Sequence, residues 1–261
     1  MVTIADVARF LEEFAPSRLA AEWDNVGLLV GDPSRSVKRI MTCLTVTPAS
    51  AQEAISREAD LIVAHHPLPF RPLQRMTTET TEGRLLLDLI AAGVAIYSPH
   101  TAFDSAAQGI NQLWAEGLAI TKTAPLVLAA DGDGGAGRWG KLAQPQTLEQ
   151  LAQRVKKFLG LDRAQLVGSP EQRVTTVAVA CGSAGELLAA AIEAGCDCMV
   201  TGEVRFHTAL EAEAAGVGIV LAGHFASERF GVVKLADVLA NQFGGVETWA
   251  AQQERDPVKF V

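Results

Sequence analysis

Residues 92–104 read Ala-Gly-Val-Ala-Ile-Tyr-Ser-Pro-His-Thr-Ala-Phe-Asp, and residues 215–228 repeat the pattern as Ala-Gly-Val-Gly-Ile-Val-Leu-Ala-Gly-His-Phe-Ala-Ser-Glu. Each stretch is an apolar run that leads to a histidine, and a carboxylate follows four positions later. The first pair is His100 and Asp104, and the second is His224 and Glu228. Short apolar runs are typical of buried strands, and residues four apart share one face where the chain is helical. The repeat therefore indicates two related units, each with an imidazole and a carboxylate after a strand.

The segments upstream of these two stretches echo each other as well. One apolar run leads into Ala-His65-His66-Pro, and another leads into Thr-Gly-Glu203. The fifth histidine of the chain, His207, lies four residues after Glu203. Imidazole and carboxylate groups at repeated spacings are the donors that a metal site requires. We therefore expect one composite metal site built from two related halves.

The order of the elements predicts an α/β fold with mostly parallel sheets. Buried apolar runs predict strands at residues 60–64, 94–97, 174–180, 198–201 and 217–222. Helical segments alternate with these strands, which is the pattern of α/β layers. Ligands of such sheets bind beyond the carboxyl ends of the strands. The residues expected at those ends are His65, His66, His100, Glu203 and His224.

Capping signals and glycine content predict how the chain is organised. Thr3 with Asp6 is typical of the start of a first helix, and Ser50 with Glu53 predicts a capping box for the next one. A glycine-rich loop at 131–137 marks a boundary between two halves. We expect three parts: a first α/β lobe at 1–126, a glycine-rich connection at 127–146 and a second α/β lobe at 147–261.

Composition excludes several classes of protein. Of 261 residues, 49% are hydrophobic and 20% are charged, which is typical of a globular protein with a sizeable core. The net charge of −8 and the lack of a basic run argue against binding of nucleic acid. The sequence predicts no signal peptide and no membrane span. Four cysteines are interpreted as buried thiols of a reducing compartment, so we expect a cytoplasmic protein.

Some polar clusters leave two interpretations open. In the functional interpretation, Glu203 and His207 contact the metal ligands or act as acid and base. In the structural interpretation, they belong to an exposed turn at a strand end. Arg205 between them is a candidate for binding an anion. The cluster Trp23-Asp24-Asn25 either lines the pocket or holds the first helix in place.

Four motifs together resemble the Nif-three-like family, whose bacterial members are commonly labelled GTP cyclohydrolase type 2 homologues. The motifs occur in order over nearly the whole chain, at residues 22–28, 64–68, 201–207 and 223–229. The resemblance implies two intertwined α/β lobes and a ring-shaped homohexamer. The sequence lacks the domain that longer members insert mid-chain. It departs from the common pattern at Thr45, where many relatives carry Asp, and at Trp139, where a smaller residue is usual.

The resemblance also implies a dinuclear metal site. The implied ligands are His65, His66, Asp104, His224 and Glu228, with Glu228 as the bridging carboxylate. The two divalent ions would be Zn, Mn, Fe, Co or Ni, because the site has nitrogen and oxygen donors rather than thiolates. His100 belongs to the implied pocket without being a settled ligand. We take His100, His207 and Glu203 as the candidate catalytic residues.

The function that follows is a dinuclear metal-dependent hydrolase. It would act on a nucleotide or related small molecule through a metal-activated water. A phosphoester hydrolase would use the same residues on phosphorus. The alternative of another class is a metal-binding or regulatory adaptor protein without turnover. Family likeness alone does not establish the substrate.

Overall fold

The computed structural model describes residues 1–130, 132 and 134–259, and its contacts divide the chain into two compact units. The first unit comprises Met1–Phe103 and Gly231–Val261, and the second comprises Asp104–Phe230. These boundaries differ from the lobes expected at 1–126 and 147–261, because the first unit contains both ends of the chain. Of the expected connection at 127–146, Asp131 and Asp133 lie outside the described residues.

The helices and strands are numbered separately, each from the N-terminus. The helices are α1 (Ile4–Phe14), α2 (Pro48–Ser56), α3 (Thr81–Ala91), α4 (His100–Ser105), α5 (Ile110–Gly117), α6 (Leu148–Leu159), α7 (Leu188–Glu193), α8 (Phe206–Ala214) and α9 (His224–Gln242). The strands are β1 (Gly27–Val30), β2 (Arg39–Cys43), β3 (Leu61–Ala64), β4 (Ala95–Ser98), β5 (Ile120–Ala124), β6 (Val127–Leu128), β7 (Gly135–Ala136), β8 (Arg138–Thr147), β9 (Gln165–Val167), β10 (Arg173–Ser183), β11 (Cys198–Glu203), β12 (Gly218–Leu221) and β13 (Glu247–Ala250).

A five-stranded sheet forms the centre of the first unit, in the order β1-β4-β3-β2-β13. β4, β3, β2 and β13 are parallel, and β1 pairs antiparallel with β4 at the edge. All four residues of β3 are buried, as are all four of β4. Continuous apolar runs suit parallel strands that are covered on both faces. The apolar run at 60–64 therefore correctly predicts a strand that is buried on both faces.

A six-stranded sheet forms the centre of the second unit, in the order β5-β8-β10-β11-β12-β9. Only the central strands β10, β11 and β12 run parallel, and the outer pairings are antiparallel. β8 occupies residues 138–147, so part of the expected connection is a sheet strand. Both sheets have parallel central strands with helices between them, and the α/β class is confirmed.

The helix starts confirm one capping prediction and correct another. Thr3 and Asp6 form the capping box of α1 as expected. The capping box of α2 is formed by Thr47 and Ser50 instead of Ser50 and Glu53. Glu53 has a different role, because its carboxylate accepts hydrogen bonds from the indole of Trp249 and from the backbone of residues 252 and 253. Among the helices of the described residues, none has the length and apolar character that crossing a bilayer requires.

Candidate metal centre

Backbone hydrogen bonds fix His65 and His66 immediately after β3. The amide of His65 donates to the carbonyl of Cys43, and that of His66 donates to the carbonyl of Leu44. These bonds continue the β3–β2 pairing past the end of the strand. The hydroxyl of Ser98, at the end of β4, donates to the carbonyl of His65 over 2.7 Å. Both histidines therefore lie at the carboxyl end of a central strand, which is the position that the sequence predicts.

The side chains of His65, His66 and His100 converge in the first unit. One ring nitrogen from each lies within 4.8 Å of the others. The ring centroids are 5.2 Å apart for His65–His66, 5.2 Å for His65–His100 and 5.5 Å for His66–His100. His65 is buried, and the other two are half-buried. Three imidazoles at this spacing form a donor set that suits a divalent transition-metal ion.

Thr45 controls the orientation of His66. Its hydroxyl oxygen lies 2.7 Å from Nδ1 of His66. A hydrogen bond at one ring nitrogen fixes the imidazole and leaves Nε2 for another partner. A carboxylate oxygen of Glu254 accepts the backbone amides of Leu44 and Thr45 and anchors this loop. Thr45, which departs from the family pattern, thus contacts a candidate ligand directly.

Asp24 performs the same task for His100. Its carboxylate is fully buried, and Oδ1 lies 2.7 Å from Nδ1 of His100. Burial by itself would raise the pKa of Asp24, but hydrogen bonds from His100 and Thr101 outweigh burial and lower that pKa to about 2. The backbone at His100 has a positive φ of 23°, a strained conformation for a residue with a side chain. An anionic carboxylate only accepts, so Nδ1 of His100 carries the proton.

The same contacts decide between the two interpretations of Trp23-Asp24-Asn25. The ring of Trp23 lies 6.1 Å from that of His100, measured between centroids. Asp24 holds His100, and the side-chain amide of Asn25 donates to the carbonyl of Pro69 over 2.7 Å. This segment lines the histidine cluster. The sequence alone could not show this, because residue 24 reaches a partner 76 positions away.

The second unit brings together His224, Glu228 and Glu203. β12 ends at Leu221, and α9 begins at His224, so that Glu228 follows one turn later on the same helix. Nε2 of His224 lies 3.0 Å from Oε2 of Glu228, and Nδ1 lies 3.0 Å from Oε1 of Glu203 at the end of β11. Glu228 is buried, whereas Glu203 is exposed. The spacing of histidine and carboxylate in the sequence thus correctly predicts the contact between His224 and Glu228.

Gly182 makes room for the carboxylate of Glu228. Its φ is +66°, and a Cβ at this position would collide with Oε1 of Glu228. The amide of Gly182 donates to the hydroxyl of Ser227, which in turn donates to the carbonyl of His224. A glycine is required here both for its backbone conformation and for the close approach of a charged side chain. The glycine turn after β10 therefore serves the carboxylate.

Cys181 lies beside the carboxylates of the second unit. Its Sγ donates to Oδ1 of Asp104 over 3.1 Å. Burial raises the pKa of the Cys181 thiol well above its usual value, and the charges of Asp104 and Glu228 raise it further. All four cysteines are buried free thiols, as expected. No local pattern in the sequence indicates that one of them would orient a candidate ligand.

The remaining candidates lie on the surface of the second unit. His207 and Arg205 are exposed near the start of α8, and the His207 ring lies 5.8 Å from that of Phe206 between centroids. Of the predicted site residues in this unit, Asp104 is joined to Cys181, and His224 to Glu203 and Glu228.

The His224–Glu228 pair makes the stability of the metal-free protein depend on pH. The hydrogen bond to Glu228 raises the pKa of His224 from 6.5 to about 9, and Glu203 contributes in the same direction against the effect of burial. The stabilisation is complete below about pH 6.5 and is lost as the pH rises through about 9. Because the His224 side chain is 36% exposed, we expect a loss of about 1 kcal/mol.

Calorimetric unfolding of chelator-treated protein between pH 6 and 10 measures this loss. In His224→Gln the corresponding part of the pH dependence should disappear. An unchanged slope in that variant would show that another group causes it.

The donor set of each unit, taken by itself, suits a bound transition metal. Imidazole nitrogen and carboxylate oxygen are the donors that Zn²⁺ and its neighbours accept, and three candidate rings each have a partner that fixes their orientation. The space at Gly182 accommodates a carboxylate that lies against an imidazole.

The chain resembles known proteins both in sequence and in fold. The sequence matches the Duf34/NIF3 (NGG1p interacting factor 3) family over residues 2–257. It is 32% identical to a protein of Clostridium acetobutylicum named GTP cyclohydrolase 1 type 2 homolog, with 98% of both chains covered. It is also 32% identical to NIF3-like protein 1 of Drosophila melanogaster, with 99% of this chain and 89% of that protein covered. A crystal structure of a Bacillus cereus protein related to NIF3 superposes with a TM-score of 0.91 at 25% identity, covering 100% of this chain and 99% of that chain. The chain therefore belongs to the Duf34/NIF3 family.

Proposed function

We propose that this chain is a dinuclear metal-dependent hydrolase that acts on a nucleotide or a related small molecule. The observation that carries the proposal is the convergence of three imidazoles within 4.8 Å at the carboxyl ends of parallel strands. Two of them, His65 and His66, are proposed ligands, and the third, His100, is the proposed proton acceptor beside them. The name of the Clostridium acetobutylicum relative, GTP cyclohydrolase 1 type 2 homolog, supports a nucleotide substrate. Hydrolysis of a phosphoester would need the same groups.

The proposed ligands of two divalent ions are His65, His66, Asp104, His224 and Glu228. This set follows from the family resemblance, with Glu228 as the bridging carboxylate. Nitrogen and oxygen donors suit Zn, Mn, Fe, Co or Ni. Bound ions of this kind supply Lewis-acid activation of water and of a substrate oxygen.

The chain's own residues orient the ligands and move protons. Thr45 holds the ring of His66, and Glu203 holds that of His224. Asp24 keeps a proton on Nδ1 of His100, so that Nε2 is the ring nitrogen that can accept a proton from the substrate or from water. We assign proton transfer to His100, and we keep Glu203 and His207 as further catalytic residues.

Two broader properties belong to the same proposal. We propose a homohexamer, in line with the family resemblance and the hydrophobic content of 49%. We also propose a cytoplasmic location, which the buried free thiols support.

The decisive experiment measures metal content and turnover on one preparation. After reconstitution with each candidate metal, we expect elemental analysis to approach two ions per chain. The same samples are then screened for hydrolysis of nucleotides and phosphoesters. One ion or none in folded protein would contradict the dinuclear site. Two ions without turnover of any substrate would favour the adaptor function.

His207 provides a separate test of the catalytic assignment. His207→Ala should leave the metal content unchanged, because this side chain is not among the proposed ligands, yet reduce kcat by roughly 10²–10⁴-fold if it transfers protons. Glu211→Ala is a matched control, since Glu211 is exposed one turn further along α8. Loss of metal in His207→Ala would make His207 a ligand, and unchanged turnover would make it a bystander.

A further inference from the structure

Two of the exposed aromatic side chains lie together beside the histidine cluster. Among the described residues, the exposed tryptophan and phenylalanine residues are Trp23 at 65%, Phe70 at 39% and Phe206 at 72%. Large apolar groups left in contact with water at one place often mark a binding site. We infer that Trp23 and Phe70, which we call the aromatic pair, bind the planar heteroaromatic ring of a nucleotide, and that Arg71 binds its phosphate. The inference rests on the proposed function and names the substrate class of the same site.

The geometry of the aromatic pair leaves a flat surface available. The two ring centroids are 6.0 Å apart, and the ring planes meet at 68°, edge to face. In an edge-to-face pair the edge of one ring contacts only one face of the other, so that a ligand ring can stack on a remaining face. Bases stack on aromatic side chains regardless of sequence, because every base has a π-face.

The aromatic pair lies next to His100, the proposed proton-transfer residue. The centroid of His100 lies 6.1 Å from that of Trp23 and 6.2 Å from that of Phe70. His100 is also one of the three converging imidazoles. A heteroaromatic ring stacked on the pair would therefore contact His100, the proposed proton-transfer residue.

Hydrogen bonds hold the two aromatic residues in position before any ligand binds. Trp23 precedes Asp24, whose buried carboxylate is bonded to His100 and Thr101. Asn25 joins this segment to the one that carries Phe70, by its bond to the carbonyl of Pro69. A preformed site loses less conformational entropy on binding. Exposed side chains on an anchored backbone are what a recognition site requires.

Arg71 adds a positive charge next to the aromatic pair. Its guanidinium carbon lies 5.9 Å from the centroid of the Phe70 ring, and the side chain is exposed. Guanidinium groups bind phosphate in a bidentate manner. In a chain with a net charge of −8, a cation at the edge of this site favours an anionic ligand. A planar ring with a phosphate meets both requirements.

Calorimetric titration of the purified protein tests the inference with guanosine, GMP and ribose 5-phosphate as probes. Trp23→Leu should weaken binding of guanosine and GMP by about 5- to 100-fold, while Trp23→Phe retains most of the affinity. Arg71→Ala should weaken binding of GMP and leave that of guanosine unchanged. The matched control is Phe206→Leu, which removes an exposed ring that contacts His207 rather than His100.

The inference is overturned if wild type binds neither guanosine nor GMP, or if Trp23→Leu binds both as tightly as wild type. It is also overturned if Trp23→Leu weakens ribose 5-phosphate as much as GMP, because stacking would then not be the cause. These measurements require no turnover. If the protein hydrolyses a substrate in a metal-dependent way but does not bind the nucleotide ring at the aromatic pair, the inference is rejected and the proposed function stands. If the aromatic pair binds the ring but no substrate is hydrolysed, the proposed function is rejected and the inference stands.

Discussion

Glu228→Gln should abolish turnover and weaken metal binding by more than roughly 100-fold. Loss of a residue that hydrogen-bonds to a metal ligand weakens binding by up to about 100-fold, and Glu228 is proposed as a ligand itself. The carboxylate of Glu228 is buried, lies 3.0 Å from His224 and occupies the space that Gly182 leaves. An amide cannot supply two anionic oxygens to two ions. Titration of the metal-free variant with Zn²⁺ or Mn²⁺, followed by calorimetry, measures the change.

Two further variants separate this effect from a general loss of charge. Glu203→Gln removes the other carboxylate at His224 without removing a proposed ligand, so we expect a smaller loss of about 10- to 100-fold in metal affinity. Glu213→Gln removes an exposed charge on α8 and should change nothing. Thermal unfolding is compared first, because a buried group is altered. Wild-type metal affinity in folded Glu228→Gln would exclude it as a ligand.

The strand-end positions of the candidate site could be predicted from local sequence. Apolar runs of four to six residues predict buried strands, and polar residues that follow them must lie at the sheet edge. His65, His66, His100 and His224 are at such ends, and Glu203 is the last residue of β11. The helical spacing of His224 and Glu228 was sufficient to predict their contact.

The partners that orient these residues could not be predicted in the same way. Asp24 contacts His100 across 76 positions, and Cys181 contacts Asp104 across 77. Each of these contacts depends on how segments far apart in sequence come together within their own unit. The spacing of residues within one segment carries no information about this. The hydrogen bonds that Glu53 accepts from the C-terminal segment have the same origin. That is why a carboxylate three residues after a serine resembled a capping box and is not one.

The division into units shows the same limit at a larger scale. β13 pairs parallel with β2, about 200 positions earlier in the chain, and thereby joins the C-terminal segment to the first unit. The glycine-rich loop at 131–137 is a local feature that predicts a boundary between lobes. In the structure, strand β8 begins immediately after this loop, at Arg138. Parallel pairing is a long-range choice, so the sequence pattern predicts the strands but not which of them become neighbours.

Asp24→Asn should reduce turnover by roughly 10²–10⁴-fold, with little change in the fold, because it changes which nitrogen of His100 carries the proton. Oδ1 of Asp24 accepts from Nδ1 of His100 and from the amide of Asn25, and Oδ2 accepts from the amide and hydroxyl of Thr101. An asparagine has one acceptor oxygen. If that oxygen faces Thr101, the NH₂ group faces Nδ1 of His100, and the ring must move its proton to Nε2 to avoid two opposed donors.

The change of tautomer can be measured apart from turnover. Long-range ¹H–¹⁵N NMR of the histidine rings should show a protonated Nδ1 for His100 in wild type and a protonated Nε2 in Asp24→Asn. Asp88→Asn is the control, since it makes the same chemical change at an exposed position of α3. If the ring-nitrogen signals of His100 stay the same while turnover falls, Asp24 acts by another route. If neither changes, the buried carboxylate has no part in positioning His100, and His100 loses its assignment as the residue that accepts the proton.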